Sequence, residues 1–340
     1  MDEEGYEIKE VDNQFAESPY IDIYCIGKAP SGEGILFFYR TKEKVLYAGA
    51  IDACIDDSIL KENGVEKLNL ICWSHPHKDH FEGIDKLINK YADENTKILI
   101  PPELSQTIFK HKDKEEQDLY KKIVTINANG KKKSGTIFYG CHNKSIEKIY
   151  FLDRKNGIKS NFSINTHAPI DNIISRLPYQ KSIDYNDYSI ILEININNAR
   201  FIFTGDVIKS TIEELKKMKF SMQNVVYVKI PHHGSESSID FIDLLKDDTG
   251  IAVTTIFKDN GFNKTPCRKV INRYFEKNFN VFTTNGSYWD GKDSEEKIGI
   301  ISTRIVVPTS ELEENCDWSV NCIKEGKEIL REDDTTMLVI

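Results

Sequence analysis

His75, His77, Asp79 and His80 fall within six residues of the stretch WSHPHKDHFEG (73–83), which holds three of the chain's eight histidines. Further along, RFIFTGD ends on Asp206, and IPHHGS sets His232 and His233 side by side. Imidazole nitrogen suits zinc and other first-row transition metals, and carboxylate oxygen widens the choice towards manganese. In extended backbone, residues two apart point the same way, so His75 and His77 can share one ion. Asp79 and His80 stand where the chain turns into a helix and can face a second ion. Asp206 carries two carboxylate oxygens and could bridge the pair. Two divalent ions held close together generate hydroxide near neutral pH and brace both oxygens of an in-line displacement. The expected chemistry is metal-dependent hydrolysis. The isolated His111, His142 and His167 read instead as hydrogen-bonded structural residues.

Such a cluster needs firm elements behind it. LNLICWS (68–74) is a short apolar run that reads as a buried strand and ends where the histidines begin. Ile84, Leu87, Ile88 and Tyr91 then recur at helical spacing, so the cluster occupies a strand-to-helix loop. YIDIYCIG, GILFFYR and KVLYAG, between 20 and 49, are strand-like, rich in β-branched and aromatic residues. SIILEIN (189–195), a turn at Asn197 and Asn198, and RFIFTGD (200–206) predict a hairpin whose second strand delivers Asp206. NVVYVKIP (224–231) does the same for His232 and His233. A helix over 239–246, a strand at IAVTTIF, a helix over 267–276 and a strand at FNVFTT follow. Residues 104–122 are heavily charged and compatible with a helix, and NGKKKSG (129–135) marks a turn.

With 340 residues and 39% hydrophobic content, the chain can bury a large core. No repeat or linker divides it, so one domain over 1–340 is expected, with a core of about 20–301 and an acidic C-terminal extension over 311–340. The 45 basic and 54 acidic residues leave a net charge of −9, which argues against broad attraction to nucleic acid or anionic membrane. Lys131, Lys132, Lys133, Lys229, Lys264, Arg268 and Lys269 are candidates for local positive charge near the site mouth. The seven cysteines are scattered without a CxxC pair, so neither a disulfide framework nor a thiolate zinc knuckle is indicated. The opening MDEEGYEI is acidic and lacks an apolar segment, and no apolar run is long enough to cross a bilayer. A cytoplasmic, non-membrane protein is expected.

HPHKDH (75–80), FTGD (203–206) and PHHGS (231–235) together resemble the metallo-β-lactamase fold superfamily. NDYSIIL (186–192) and the valine–lysine–isoleucine–proline run before the paired histidines are most similar to its ComEC-type branch, the hydrolase domain of bacterial DNA-uptake proteins. The likeness covers about 20–301. It implies an α/β, four-layer αββα sandwich of two mixed sheets with helices outside, and a site at one edge holding two divalent ions, zinc or manganese. Carried over, it assigns His75 and His77 to the first metal, Asp79, His80 and His233 to the second, and Asp206 to both. Asp79 and His232 become the catalytic candidates, His232 contacting or protonating a phosphoester.

Two positions depart from the family pattern. Asn186 and Asp187 stand where most members place a further histidine, and Thr265 stands where the branch usually carries histidine–proline. Asn186 and Thr265 are therefore read as substrate contacts or weak metal contacts. Asp52, late in KVLYAGAIDAC, reads either as a turn carboxylate or as a group that hydrogen-bonds a ligand histidine. The expected function is hydrolysis of a phosphodiester in a nucleic-acid strand, a nucleotide or a phosphoester head group through metal-bound hydroxide. The alternatives are a lactone, thioester or amide hydrolase, and a metal-poor, non-catalytic component of a defence or regulatory complex. Oligomeric state and protein partners are left open.

Overall fold

A computed structural model of the chain describes residues 5–11, 18–28, 31–104, 114–125, 135–180, 182–246, 249–258, 264–289, 298–308 and 316–331. The strands are β1 (Glu7–Glu10), β2 (Tyr20–Lys28), β3 (Glu33–Arg40), β4 (Val45–Ile51), β5 (Leu70–Cys72), β6 (Lys97–Ile100) and β7 (Thr136–Tyr139). Then come β8 (Lys144–Asp153), β9 (Ile158–Thr166), β10 (Leu192–Ile196), β11 (Ala199–Phe203), β12 (Val225–Lys229) and β13 (Gly250–Thr254). The last are β14 (Phe257–Lys258), β15 (Lys264–Thr265), β16 (Phe279–Thr283), β17 (Ile298–Val306), β18 (Trp318–Lys324) and β19 (Lys327–Ile329). They form a nine-stranded sheet, β1-β8-β9-β10-β11-β12-β13-β16-β19, an eight-stranded sheet, β18-β17-β2-β3-β4-β5-β6-β7, and the small pair β14-β15.

Both large sheets mix parallel and antiparallel neighbours, and the period of two along each strand divides their side chains between two cores. Ile35, Phe37 and Tyr39 of β3 point inward, where they meet Phe162, Ile164, Phe201 and Tyr227 from the other sheet. Leu36 and Phe38 point outward, against Ile59 and Leu60 of the helix Asp57–Glu62 and Ile84, Leu87 and Ile88 of the helix Ile84–Tyr91. On the far side, Ile202, Val228 and Ala252 pack under Ile212 and Leu215 of the helix Lys209–Lys217 and Val270 and Ile271 of the helix Arg268–Glu276. The αββα sandwich expected from the metallo-β-lactamase resemblance is the architecture observed.

The predicted hairpin is β10–β11, in register from Leu192↔Phe203 to Ile196↔Ala199, and Asn197 supplies the left-handed turn residue at φ +54°. The sequence reading has no counterpart for the β8–β9 hairpin, whose charged residues and register shift near Ser145 blur the alternation. The segment expected as a helix over 239–246 is a tight run of 3-10 turns from Glu236 to Leu244. The described part of the C-terminal extension closes both sheets, β18 pairing with β17 and β19 with β16. Among the described residues no helix is long and apolar enough to cross a membrane. His111 and Lys131, Lys132 and Lys133 lie outside the described residues.

Phe37 holds the two sheets together at the centre. Its ring lies parallel to those of Tyr47 and Phe203, each 6.2 Å away. A Cβ on Gly49 would come within 2.1 Å of its Cζ, so the neighbouring strand needs glycine there. Phe37→Ala is expected to lower unfolding stability by about 3–5 kcal/mol, read from equilibrium denaturation.

Candidate metal centre

Strand ends from both sheets meet at one edge. β5 stops at Cys72, and the indole nitrogen of Trp73 donates to the carbonyl of His75 at 2.6 Å. The amides of His77 and His80 donate at 3.0 Å to the carbonyls of His75 and His77, winding the loop tightly. From the other sheet, β11 leads into Thr204 and Gly205. Gly205 takes φ +51° and runs so close to Ser74 that a Cβ would lie 3.2 Å from that serine's Cβ. Asp206 follows, its amide donating to Ser189 Oγ at 3.2 Å. After β12, His232 and His233 are both left-handed, at φ +49° and +52°. Non-glycine residues adopt that conformation at a cost of about 1 kcal/mol or more each. The strain turns adjacent rings apart: their centroids are 6.5 Å from each other, His233 is buried and His232 is half-buried.

One oxygen stands at the centre. Asp206 Oδ2 lies 3.8 Å from His75 Nε2, 3.5 Å from His80 Nε2 and 3.3 Å from His233 Nε2. Asp79 Oδ2 is 3.6 Å from His80 Nε2 and 3.4 Å from His233 Nε2. His77 Nδ1 is 3.0 Å from His75 Nε2. Two donor groups emerge, His75–His77–Asp206 and Glu33–His80–Asp206–His233, each with its ligand atoms within 4.8 Å of one another, and Asp206 belongs to both. His80 Nε2, His233 Nε2 and Asp206 Oδ1 are buried without a hydrogen-bond partner. Buried polar atoms are almost always satisfied. A cluster of inward-facing nitrogen and carboxylate donors left open in this way fits a divalent cation.

Asp52 fixes two of the imidazoles. It accepts from His80 Nδ1 at 2.7 Å and from the amide and hydroxyl of Ser74 at 2.8 Å each. Ser74 Oγ, its proton given to Asp52, accepts from His75 Nδ1 at 3.0 Å. One carboxylate thus sets both rings so that Nε2 faces inward, the usual arrangement behind a metal-ligating histidine. Of the two readings of Asp52, the geometry favours the hydrogen-bonding one.

The other sequence candidates are placed less centrally. Asn186 lies in the turn Tyr185–Tyr188, buried, with Oδ1 lacking a hydrogen-bond partner; the neighbouring Tyr185 ring is 6.0 Å from that of His77. Thr265 spends its hydroxyl on the amide and carbonyl of Phe257, at 3.1 and 3.2 Å, and so holds the Phe257 ring stacked 5.4 Å from His233. Asp187 accepts from Ser210 Oγ, and His167 is spent on Glu193 at 3.2 Å, so neither joins the cluster. His232 Nδ1 is bonded to Ser237 Oγ at 2.8 Å.

Lys229 requires a correction. Expected as positive charge near the mouth, it is fully buried, with Nζ 2.5 Å from Glu33 Oε2 and 3.8 Å from Asp206 Oδ1. Glu33 was missed altogether. The available signals were a lone lysine inside the apolar strand VVYVK and a carboxylate opening EGILFFYR, since charges buried in strands need partners. Arg268 and Lys269 are exposed as expected of surface charge, with the Arg268 guanidinium 5.2 Å from the Trp289 ring centroid.

No family model matches the chain, and no curated protein matches it. Similar solved structures include a mutant of the CmlA β-hydroxylase, 9% identical over 68% of this chain with a TM-score of 0.39; the match spans 45% of that protein, less than half its length. Others are a diphosphatase of the PhnP family, 12% identical over 68% of this chain and 85% of its own, TM-score 0.35, and zinc-bound PqqB from Methylobacterium extorquens, 9% identical over 65% and 76%, TM-score 0.35. Structural likeness at this level carries no argument about this chain's chemistry.

Burial disfavours charge on His80 and His233, but the carboxylates of Asp206 and Asp79 outweigh it; His233 is raised to about 9 and His80 is raised well above its ordinary value. The same contacts overcome burial at Asp79 and Asp206 and hold both carboxyls well below the usual range. His75 is driven down by burial and by the neighbouring His80. The metal-free cluster therefore stores protons that a cation must displace. An unfolded imidazole titrates near about 6.5, so the folded, metal-free chain retains protons above that pH that the unfolded chain has released. Stability from this source is complete below about 6.5 and is lost as pH rises through the raised values. Metal-free protein is expected to lose about 1.4 kcal/mol per pH unit for each retained proton, read by denaturation between pH 7 and 9.5. Zinc added at pH 7 should release protons, read by calorimetry in buffers of different ionisation enthalpy. Asp52→Asn should weaken zinc binding by about 10–100-fold.

Proposed function

We propose that this chain is a metal-dependent hydrolase of phosphodiester bonds that works with two divalent ions, zinc or manganese. The observation that supports it is the convergence of His75, His80 and His233 on the single oxygen Asp206 Oδ2, with His77 completing the first donor group and Asp79 lying against His80 and His233 of the second. His75, His77 and Asp206 would hold one ion; Asp79, His80, His233 and Asp206 would hold the other. Ions there supply electrophilic stabilisation of phosphoryl oxygens and make water acidic enough to react near neutral pH.

The chain's own groups then divide the remaining work. Asp79, 11% exposed where Asp206 is 3% exposed, is the carboxylate on the approach side and helps orient the attacking water. Desolvation lowers the His232 pKa and favours the neutral ring, which can accept a proton or hydrogen-bond the ester oxygens, while Ser237 fixes its orientation. Asn186, a buried amide next in sequence to the Tyr185 ring that faces His77, is a weak contact to metal or substrate. The half-buried rings of Tyr185 and Phe257 flank the cluster and narrow the approach. The likeness of PHHGS and NDYSIIL to the ComEC-type branch favours phosphoesters over lactones, thioesters or amides. A net charge of −9 favours a nucleotide or a strand end over long duplex.

Purified protein loaded with manganese or zinc should cleave an aryl phosphodiester, and His75→Ala with His77→Ala should lower that rate roughly a hundredfold or more. Unchanged activity in the double variant would sink the proposal. Single-stranded DNA, RNA and cyclic dinucleotides then separate the substrates: a steep loss of rate with salt marks a polymer, and a flat response marks a small ligand.

A further inference from the structure

We infer that Lys229 and Glu33 form a buried positioning pair for the metal centre, Lys229 orienting the Asp206 carboxylate and Glu33 orienting His233 through Thr255. This rests on reading the cluster as a metal centre.

Four contacts carry it. Thr255, just beyond β13, donates its hydroxyl to Glu33 Oε2 at 2.5 Å. With that proton committed, Thr255 Oγ1 accepts from His233 Nδ1 at 2.7 Å and leaves Nε2 facing Asp206 and Asp79. The chain Glu33–Thr255–His233 repeats the chain Asp52–Ser74–His75, carboxylate to hydroxyl to imidazole. Lys229 adds what the Asp52 side lacks. Its ammonium meets Glu33 Oε2 at 2.5 Å and lies 3.8 Å from Asp206 Oδ1, whereas the imidazoles gather on Oδ2. One cation thus faces one oxygen of Asp206 and leaves the other to the ligand histidines.

Stability is a poor explanation for this pair. Lysine and glutamate are both buried here, 0% and 1% exposed, and a buried ion pair is often matched or exceeded by apolar residues of similar volume. Glu33 also lies within reach of the second donor group. Lys229 keeps it occupied as a support for Thr255, so it does not serve as a further ligand.

The test uses full-length protein, zinc affinity by chelator competition, the visible spectrum of the cobalt-substituted form and the His233 Nδ1 proton resonance of the zinc-loaded form. Thr255→Val removes the relay and keeps the shape; Thr255→Ser restores the hydroxyl. Glu33→Gln with Lys229→Met removes both charges together. Thr255→Val and the double variant should each weaken zinc binding by about 10–100-fold and change the cobalt spectrum, and Thr255→Ser should not. In Thr255→Val the Nδ1 proton should also exchange rapidly with solvent. Should the double variant fail to fold, Thr255→Val and its serine partner decide alone. Wild-type zinc affinity and cobalt spectrum in Thr255→Val would overturn the inference, even if its melting temperature fell. If folded wild-type protein binds neither zinc nor cobalt, the metal-centre reading itself fails, a result distinct from any behaviour of the variants.

Discussion

The structure is arranged around a burial problem. Asp52, Asp79, Asp206 and Glu33 bring four carboxylates to one sheet edge, three of them almost wholly out of water. Isolated buried charge is too costly to persist, so each carboxylate must be matched by a cation or by hydrogen-bond donors. Asp52 is matched by Ser74 and His80, and Glu33 by Lys229 and Thr255. Asp79, and the inward oxygen Oδ2 of Asp206, face imidazole nitrogens, and those nitrogens are needed as donors of lone pairs once a metal enters. The metal-free cluster compensates by holding protons. A divalent cation does so with greater charge and gives the open nitrogens a partner.

Holding that arrangement explains several otherwise unfavourable local choices. The left-handed pair His232–His233 accepts backbone strain to send one ring inward and the other towards the surface. Gly205 allows the Asp206 turn to pass against Ser74, which is itself the hydroxyl linking Asp52 to His75. The supports come from both sheets: Asp52 and Glu33 from the β3–β4 side, Thr255 and Lys229 from the β12–β13 side. Relative sliding of the sheets would therefore break ligands and supports together. The Phe37 stack between them is part of what keeps the site in register.

Much of this was legible in the sequence, for a definite physical reason. His75, His77, Asp79 and His80 are neighbours along the chain, so a strand end and a helix start bring them together without knowledge of the fold. The β10–β11 hairpin announces itself through two apolar runs and the Asn197–Asn198 turn, and so Asp206 could be placed at a strand end. Glu33 in β3, Lys229 in β12 and Thr255 just beyond β13 are separated in sequence, and only sheet order makes them a set. Lys229 was misjudged because charge in a sequence is ordinarily surface charge; its apolar flanks were the better guide. The β8–β9 hairpin was missed because its buried positions alternate with lysine, glutamate and serine. Thr265 looked like a contact residue by position, yet its hydroxyl is consumed in placing Phe257.

Charge balance links the proposed metals to the proposed substrate. Four carboxylates against the one ammonium of Lys229 leave the empty, deprotonated cluster strongly negative, within a chain that is itself acidic. A single divalent ion would still leave it negative, and a phosphodiester, which is an anion, would be repelled. With both donor groups filled, the cluster becomes net positive, and the low dielectric of its walls strengthens the attraction. On this account the occupancy of the His75–His77 site would reach beyond that one ion. It would govern whether the second ion can work on an anionic substrate, because both charges are needed to make the cluster positive. On the proposed function, the acidic exterior would disfavour long polyanions while a loaded centre would accept a short one.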